Sequence, residues 1–422
     1  MTNWAKRSAI GIATLLFAKA SAAPQDSDVT VSVPEGFSIT KVAEGVGCVR
    51  HLAVSDDGTL YAARRNSDCP GGKGGLMVWR DHDGDGSPEA KMVRPDLQGT
   101  GLALRNGYLY FGADTRIVRL KLDPESGMPL GEPTAIVSGF DDQGQHAAKP
   151  VLFDDDGHMY VSVGGPSNAC QKRMRSVGSP GLQPCPQLER AGGIWRYDAD
   201  TPGQRHDPDK RYATGTRNAM GLGYHPGADQ IFLASHGRDD LHRLFPDLYT
   251  KEENAELPSE EIHRLVEGGD YGWPYTYYDH QKGERMIAPE YGGDGEKTAA
   301  DGKYREPVAT IPGHWAPNDL LVYTGDQFPQ RYRGGVFIAY HGSWNRAPMP
   351  QRGYNVVFLP VADDGSVTAE PEVFADGFKG KEPLYSPGNA AHRPTGLAIG
   401  PDGALYVADD HGGSIWRIRY DG

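Results

Sequence analysis

Short apolar runs alternate with polar punctuation rich in Gly, Asp and Asn along most of the chain. The clearest case lies between Gly144 and Gly165. Gly144-Gln145-His146-Ala147-Ala148-Lys149 reads as a loop and Pro150-Val151-Leu152-Phe153 as a strand. Asp154-Asp155-Asp156-Gly157 is then a tight turn, and Tyr160-Val161-Ser162-Val163 the returning strand. Short β-rich runs joined by Asp and Gly predict a hairpin. The same unit recurs at Val49 to Val54 with Leu60 to Ala63, and at Thr100 to Leu104 with Tyr108 to Gly112. It returns at Thr216 to Tyr224 with Ile231 to Ala234, at Ala316 to Tyr323 with Gly335 to Tyr340, and at Arg393 to Gly400 with Leu405 to Ala408. Further strands follow at Leu76 to Trp79, Ile117 to Leu120, Gly193 to Tyr197, Tyr354 to Leu359 and Ser414 to Ile418.

Six such copies, each a small antiparallel sheet, predict an all-β chain: a six-bladed β-propeller of four-stranded antiparallel blades. Val33 to Val42 is expected to close the ring as an outer strand beside the last sheet. One propeller domain is expected over 23–422, with a long insertion around 241–310. Insertions of this kind sit on one face as lids or binding loops.

Composition supports this reading. The 56 Gly and 32 Pro of the 422 residues are spread evenly, as many tight turns require. Met1 to Ala22 stands apart: Lys6 and Arg7 precede an apolar run from Ala9 to Phe17, and Ala20-Ser21-Ala22 offers a small-residue cleavage pattern. This is expected to be a signal peptide, making the protein exported, periplasmic or secreted. No other stretch suggests a membrane span. The net charge of −13 argues against nucleic acid as a partner. Four Cys in an exported chain predict disulfides Cys48–Cys69 and Cys170–Cys185. No Cys-x-x-Cys-His run is present for covalent haem.

In a propeller the innermost strands all start from one face, so the residues just before them converge on the central opening. Those residues are Arg50, Thr100, His146, Arg217 with Asn218, Asn318, and Arg393. Arginines, amides and a histidine aimed at one mouth suit an anionic ligand. Loops leaving the hairpins reach the same region: Arg64-Arg65-Asn66, Ser235 to Asp240, His341 to Arg346, and Asp409-Asp410-His411. Trp344 there can stack a flat ligand.

At these residues the chain resembles the soluble quinoprotein sugar dehydrogenases, the glucose/L-sorbosone dehydrogenase family. The resemblance covers essentially the whole mature chain. It is carried by Gln145-His146 with Pro150 to Phe153, by Gly215 to Leu222, by His236 to Leu241, by Asp270 to Pro274, by Gly335 to Arg346 and by Arg393 to Gly403. It implies pyrroloquinoline quinone (PQQ) as cofactor, Ca²⁺ bridging the cofactor to the protein, and a separate electron acceptor, a cytochrome or a quinone. It implies His146 as general base, Arg217 beside the quinone carbonyls with Asn218 next to it, and the Gly237 and Arg238 backbone carbonyls as calcium ligands. Arg393 matches an arginine that binds the cofactor's carboxylates, and Gln145, Arg50, Asn345 and Arg346 complete the expected cofactor site. A second family arginine aligns with Thr395, and the loop from His341 to Arg346 lacks the lysine of glucose-oxidising members. The sorbosone-type branch is therefore the nearer likeness, and the expected reaction is oxidation of an aldose or sorbosone-type sugar at C1. A neutral imidazole suits removal of the hydroxyl proton as hydride leaves.

Weaker signals remain. Asp81, Asp83 and Asp85 have the alternate spacing of a Ca²⁺ loop, but position twelve is Met92, so a polar turn is the preferred reading. Glu252-Glu253 and Glu260-Glu261 read as a solvated face, Tyr275 to Tyr278 as core, and Lys149 as facing either ligand or water. Two other functions suit the same fold: a Ca²⁺-dependent lactonase, which wants a Glu/Asn/Asp cluster where this mouth has arginines, and a non-catalytic ligand-binding propeller.

Overall fold

The structure, a computed structural model, describes residues 30–65, 74–80 and 89–422. Six radial sheets carry the fold, and each takes its strands in order from the inside outwards. Blade 1 is Val49–Val54, Leu60–Arg64, Gly75–Arg80 and Glu89–Arg94. Blade 2 is Gly99–Arg105, Tyr108–Ala113, Arg116–Leu122 and Pro129–Ser138, with Gln204–Arg205 added in parallel at its outer edge. Blade 3 is Val151–Phe153, His158–Val163, Gly193–Asp198 and Arg211–Thr214. Blade 4 is Ala219–His225, Gln230–Ser235, Glu260–Arg264 and Ala309–Ile311. Blade 5 is Pro317–Val322, Val336–Tyr340, Asn355–Leu359 and Glu372–Ala375. Blade 6 is Pro394–Ile399, Leu405–Asp409 and Ser414–Tyr420, and Phe37–Glu44 completes it from the other end of the chain.

The predicted hairpins form for local reasons. In blade 2, Asn106 (φ +49°) and Gly107 (φ +74°) both take positive φ, the turn that matches strand twist. In blade 3, Asp154 accepts from the amide of His158 at 2.8 Å and so closes the turn. Packing then makes the ring. Six apolar clusters lie one at each junction of neighbouring blades. Tyr110 and Ile117 of blade 2 meet Met159 and Trp195 of blade 3. Val49 and Trp79 of blade 1 meet Ala408 and Ile415 of blade 6.

The 241–310 region is more than a lid. It holds two short helices, Leu241–Leu244 and Lys251–Glu256, and a separate hairpin, Thr276–Asp279 with Glu284–Ile287. It also holds the third and fourth strands of blade 4, which the sequence pattern did not reveal. Glu260 and Glu261 are thus not on a solvated face. They lie within the sheet, where Glu260 accepts the amides of Gly237 (2.8 Å) and Ala316 (3.1 Å) and Glu261 pairs with Arg285 (2.6 Å). Tyr277 is core, as expected, in a cluster with Leu241, Tyr249 and Met286.

Cys170 and Cys185 are bonded, with Cα atoms 6.2 Å apart. Cys69, Asp81, Asp83, Asp85 and the leader Met1 to Ala22 lie outside the described residues. Among the described residues, no helix is long and apolar enough to cross a membrane.

Candidate active site

A cavity of about 370 Å³ is lined by residues from the starts of the inner strands. Five of the six predicted positions contribute: Arg50, Thr100, His146, Arg217 with Asn218, and Asn318. Gln145, Gly237, Trp344 and Asn345 line it as well. Convergence of the inner strands puts residues distant in sequence on one wall.

His146 is the best-defined group. Its backbone is left-handed (φ +53°), and its Nδ1 lies 2.6 Å from the Gly165 carbonyl. A carbonyl only accepts, so Nδ1 carries the proton and Nε2 keeps its lone pair. Burial, with Arg217 nearby, pulls the imidazole pKa down to about 3. The ring is therefore neutral at any ordinary pH. Gly164 is required here: a Cβ on it would fall 2.5 Å from the His146 Cβ and 2.9 Å from Asn218 Oδ1, so His146 and Asn218 stand side by side.

Arg217 is buried, and four of its five N–H donors have protein partners. It donates to Gly237 O (2.9 Å), to Asn168 O (3.2 Å) and Oδ1 (3.1 Å), and to Asp239 Oδ2 (2.8 Å). Asp239 also accepts from Arg175 (3.0 Å) and Asn345 (2.8 Å). Burial alone would raise the Asp239 carboxyl, but Arg217, His314 and Arg175 outweigh it and hold it well below the usual range. Arg175 comes from the disulfide-closed loop and brings a further cation to the wall.

Glu260, Asp239, Arg175, His236 and His314 also line the cavity. Burial pushes Glu260 up to about 7 despite its two backbone donors. Asp239 belongs to the His236 to Leu241 motif, and its position after Gly237-Arg238 is the signal the sequence carries. Glu260 carried none, because its partners are contributed by Gly237 and Ala316.

Two expected cofactor residues, Arg346 and Arg393, sit differently. Arg346 is buried behind the cavity, where it donates to the Ala255 and Gly313 carbonyls and to Glu256. Arg393 stands one layer back, donating to His341 O (3.0 Å) and Gly342 O (2.8 Å) over the Tyr354 ring. Thr395 is likewise buried, bonded to Val49 O. The Arg238 side chain pairs with buried Glu290, whereas the group implicated from the sequence is its backbone carbonyl.

The residues fit an anionic quinone such as PQQ. Arg50, Arg65, Arg175 and Arg217 supply cations on the lining. Thr100 Oγ1, Gln145 Oε1, Asn318 Nδ2 and Asn345 Oδ1 are buried there without protein hydrogen-bond partners. For calcium the donors implied from the sequence are backbone carbonyls: that of Gly237 accepts one hydrogen bond from Arg217, and a carbonyl oxygen has two lone pairs. Among the described residues, no group of three His, Cys, Asp or Glu side chains is placed to hold a metal.

Comparison with known proteins bears on the same region. The chain is 26% identical over 235 residues to the pyrroloquinoline quinone-dependent pyranose dehydrogenase of Coprinopsis cinerea, covering 49% of this chain and 30% of that one. It spans 30% to 56% of the length of the curated relatives it matches. The holo form of the pyranose dehydrogenase PQQ domain from Coprinopsis cinerea superposes with a TM-score of 0.72 at 18% identity, covering 94% of this chain and 98% of that one. The calcium structure of the Trichoderma reesei Carbohydrate-Active Enzymes Family AA12 protein gives 0.73 at 17%, covering 94% and 98%. These structures share the propeller fold of this chain. The profile of the TrAA12-like family matches residues 31–421, and the chain belongs to the TrAA12-like family.

Proposed function

We propose that this protein is an exported quinoprotein dehydrogenase that oxidises a CH–OH group of a sugar, with an aldose or sorbosone-type sugar at C1 as substrate. The observation that carries the reading is His146: a neutral imidazole, tautomer fixed by Gly165, lining an arginine-rich cavity. PQQ bound in this cavity supplies the hydride acceptor.

The chain's own residues then have definite work. Nε2 of His146 takes the proton of the sugar hydroxyl as the C–H hydrogen leaves with its electron pair. Arg217, held rigid by Asn168, Gly237 and Asp239, presents fixed positive charge to negative charge that develops during transfer. Arg50, Arg65 and Arg175 would hold the cofactor's carboxylates, Arg50 from its pair with Asp410 and Arg175 from its pair with Asp239, while Thr100, Gln145, Asn318 and Asn345 would offer their open hydrogen-bonding atoms. Trp344, 54% exposed on the cavity lining, offers a ring face to a pyranose.

The test is reconstitution of the purified protein with PQQ, with and without Ca²⁺. Binding is followed by the cofactor's spectrum, and turnover by reduction of an artificial dye with a panel of aldoses. Saturable cofactor binding with sugar-dependent dye reduction is expected. Neither binding nor reduction under any of these conditions overturns the reading.

A further inference from the structure

Lys149 follows His146 by three residues and meets neither ligand nor water, contrary to both alternatives read from the sequence. It is fully buried and does not line the cavity. An ammonium loses its hydration on burial, so it persists there only where its protons are used. Its Nζ donates to the Ala147 carbonyl at 2.5 Å. On the other side of His146, Gln143 Nε2 donates to the carbonyls of Gln145 (2.9 Å) and His146 (2.8 Å). Three consecutive carbonyls, those of residues 145, 146 and 147, are thus each held by a side chain of the same loop. His146 lies between these two clips in a left-handed conformation that a residue with a Cβ adopts only under restraint.

The outer side of the loop is fixed by blade 2. Gly101 and Gly112 are register partners, and a Cβ on either would come within 2.0 Å of the Lys149 carbonyl oxygen. The loop cannot shift outwards, so its remaining freedom is rotation of the segment that carries His146. The Ala147 clip opposes that rotation.

We propose that Lys149 is a positioning residue for the base: its ammonium, by holding the Ala147 carbonyl, locks the turn that keeps the His146 ring on Gly165. The inference rests on the reading of His146 as the base, but the locking itself does not depend on any bound cofactor.

The charged and titratable groups that act on Lys149 are Asp114 of blade 2, Arg65 of blade 1, and Asp141 and Asp142 of the segment before the loop. The Phe140 ring lies 5.6 Å from Nζ, and Lys149 in turn acts on His206, which burial keeps below its ordinary pKa. Burial brings the Lys149 ammonium down to about 8.

The test is Lys149→Met, which keeps the stem and removes the donor. Long-range ¹H–¹⁵N spectra of the cofactor-free protein read the His146 tautomer directly. The wild-type ring is expected to show a single Nδ1–H form, and the Met variant an averaged one. In the loaded enzyme, kcat is expected to fall about 10- to 100-fold with KM and cofactor affinity little changed. A variant with the wild-type tautomer and wild-type kcat overturns the proposal. If Lys149→Met does not fold, the wild-type spectrum decides: a single Nδ1–H form is expected, and an averaged one overturns the proposal. If the wild type oxidises no sugar, the functional reading falls while the tautomer measurement still judges Lys149.

Discussion

Holding His146 at φ +53° costs roughly 1–2 kcal/mol relative to an extended backbone. The structure meets that cost with bonds that also fix which ring nitrogen is free. His146→Ala should therefore lower kcat by about 10²–10⁴-fold, while PQQ affinity, set mainly by the arginines and open amides, changes far less. Dye reduction and a cofactor titration on the same preparation separate the two quantities. His146, Gln145, Arg50, Arg217 and Asn218 were legible in the sequence because each precedes or opens an inner strand, and strand periodicity fixes where those strands begin. Asp239 and Glu260 were not, because a buried carboxylate is defined by its partners. For Asp239 these are Arg217, Arg175 and Asn345, which come from different parts of the chain. Arg346 and Arg393 show the converse. Both follow a recognisable motif, yet both donate to backbone carbonyls behind the cavity.

At the scale of elements, hairpins with Asp-Gly or Asn-Gly turns could be read directly, since alternating burial and turn chemistry agree there. The strand Glu260–Arg264 could not, because charged residues at three of its five positions mask its burial. Its charges are balanced by Arg285 and by main-chain donors of other loops. The disulfide-closed loop from Cys170 to Cys185 is the element that delivers Arg175 to Asp239. Replacing both cysteines by serine should cost roughly 3 kcal/mol of stability on loop-closure grounds. It should also weaken cofactor binding, because Arg175 is then held less firmly. Denaturant unfolding and the cofactor titration measure these separately, and a stability loss with unchanged affinity would detach Arg175 from the cofactor site.

The molecule as a whole carries an acid liability. Burial holds His146 and His236 down to about 3 and His341 to about 4. The unfolded chain takes up protons at these groups near the ordinary histidine value while the folded chain does not, so stability falls as pH drops below that value. Each histidine loses about 2 kcal/mol by pH 5. Glu260 runs the other way. Its pKa is raised to about 7, so the folded state binds its proton first and gains stability as pH falls, offsetting about one histidine. Three histidines against one carboxyl leave these groups with a net loss, so the apoprotein should be less stable at pH 5 than at pH 7.5, as denaturant midpoints at the two values will show.

The closing strand has a further consequence. Phe37–Glu44 pairs with Ser414–Tyr420 from Phe37↔Tyr420 to Glu44↔Ser414, and the Asp421 amide donates to Gly36 O at 2.7 Å. The two ends of the ring are thus stitched within one sheet, and the order of blades in space does not depend on where the polypeptide is cut. A circular permutant that joins residue 422 to residue 30 through a short Gly/Ser linker, with new ends in the exposed turn at Asp363-Asp364, should fold to the same ring. Its far-ultraviolet circular dichroism and PQQ affinity should match the parent, whereas simple removal of residues 30–44 leaves the Ser414–Tyr420 edge bare and should not yield soluble protein.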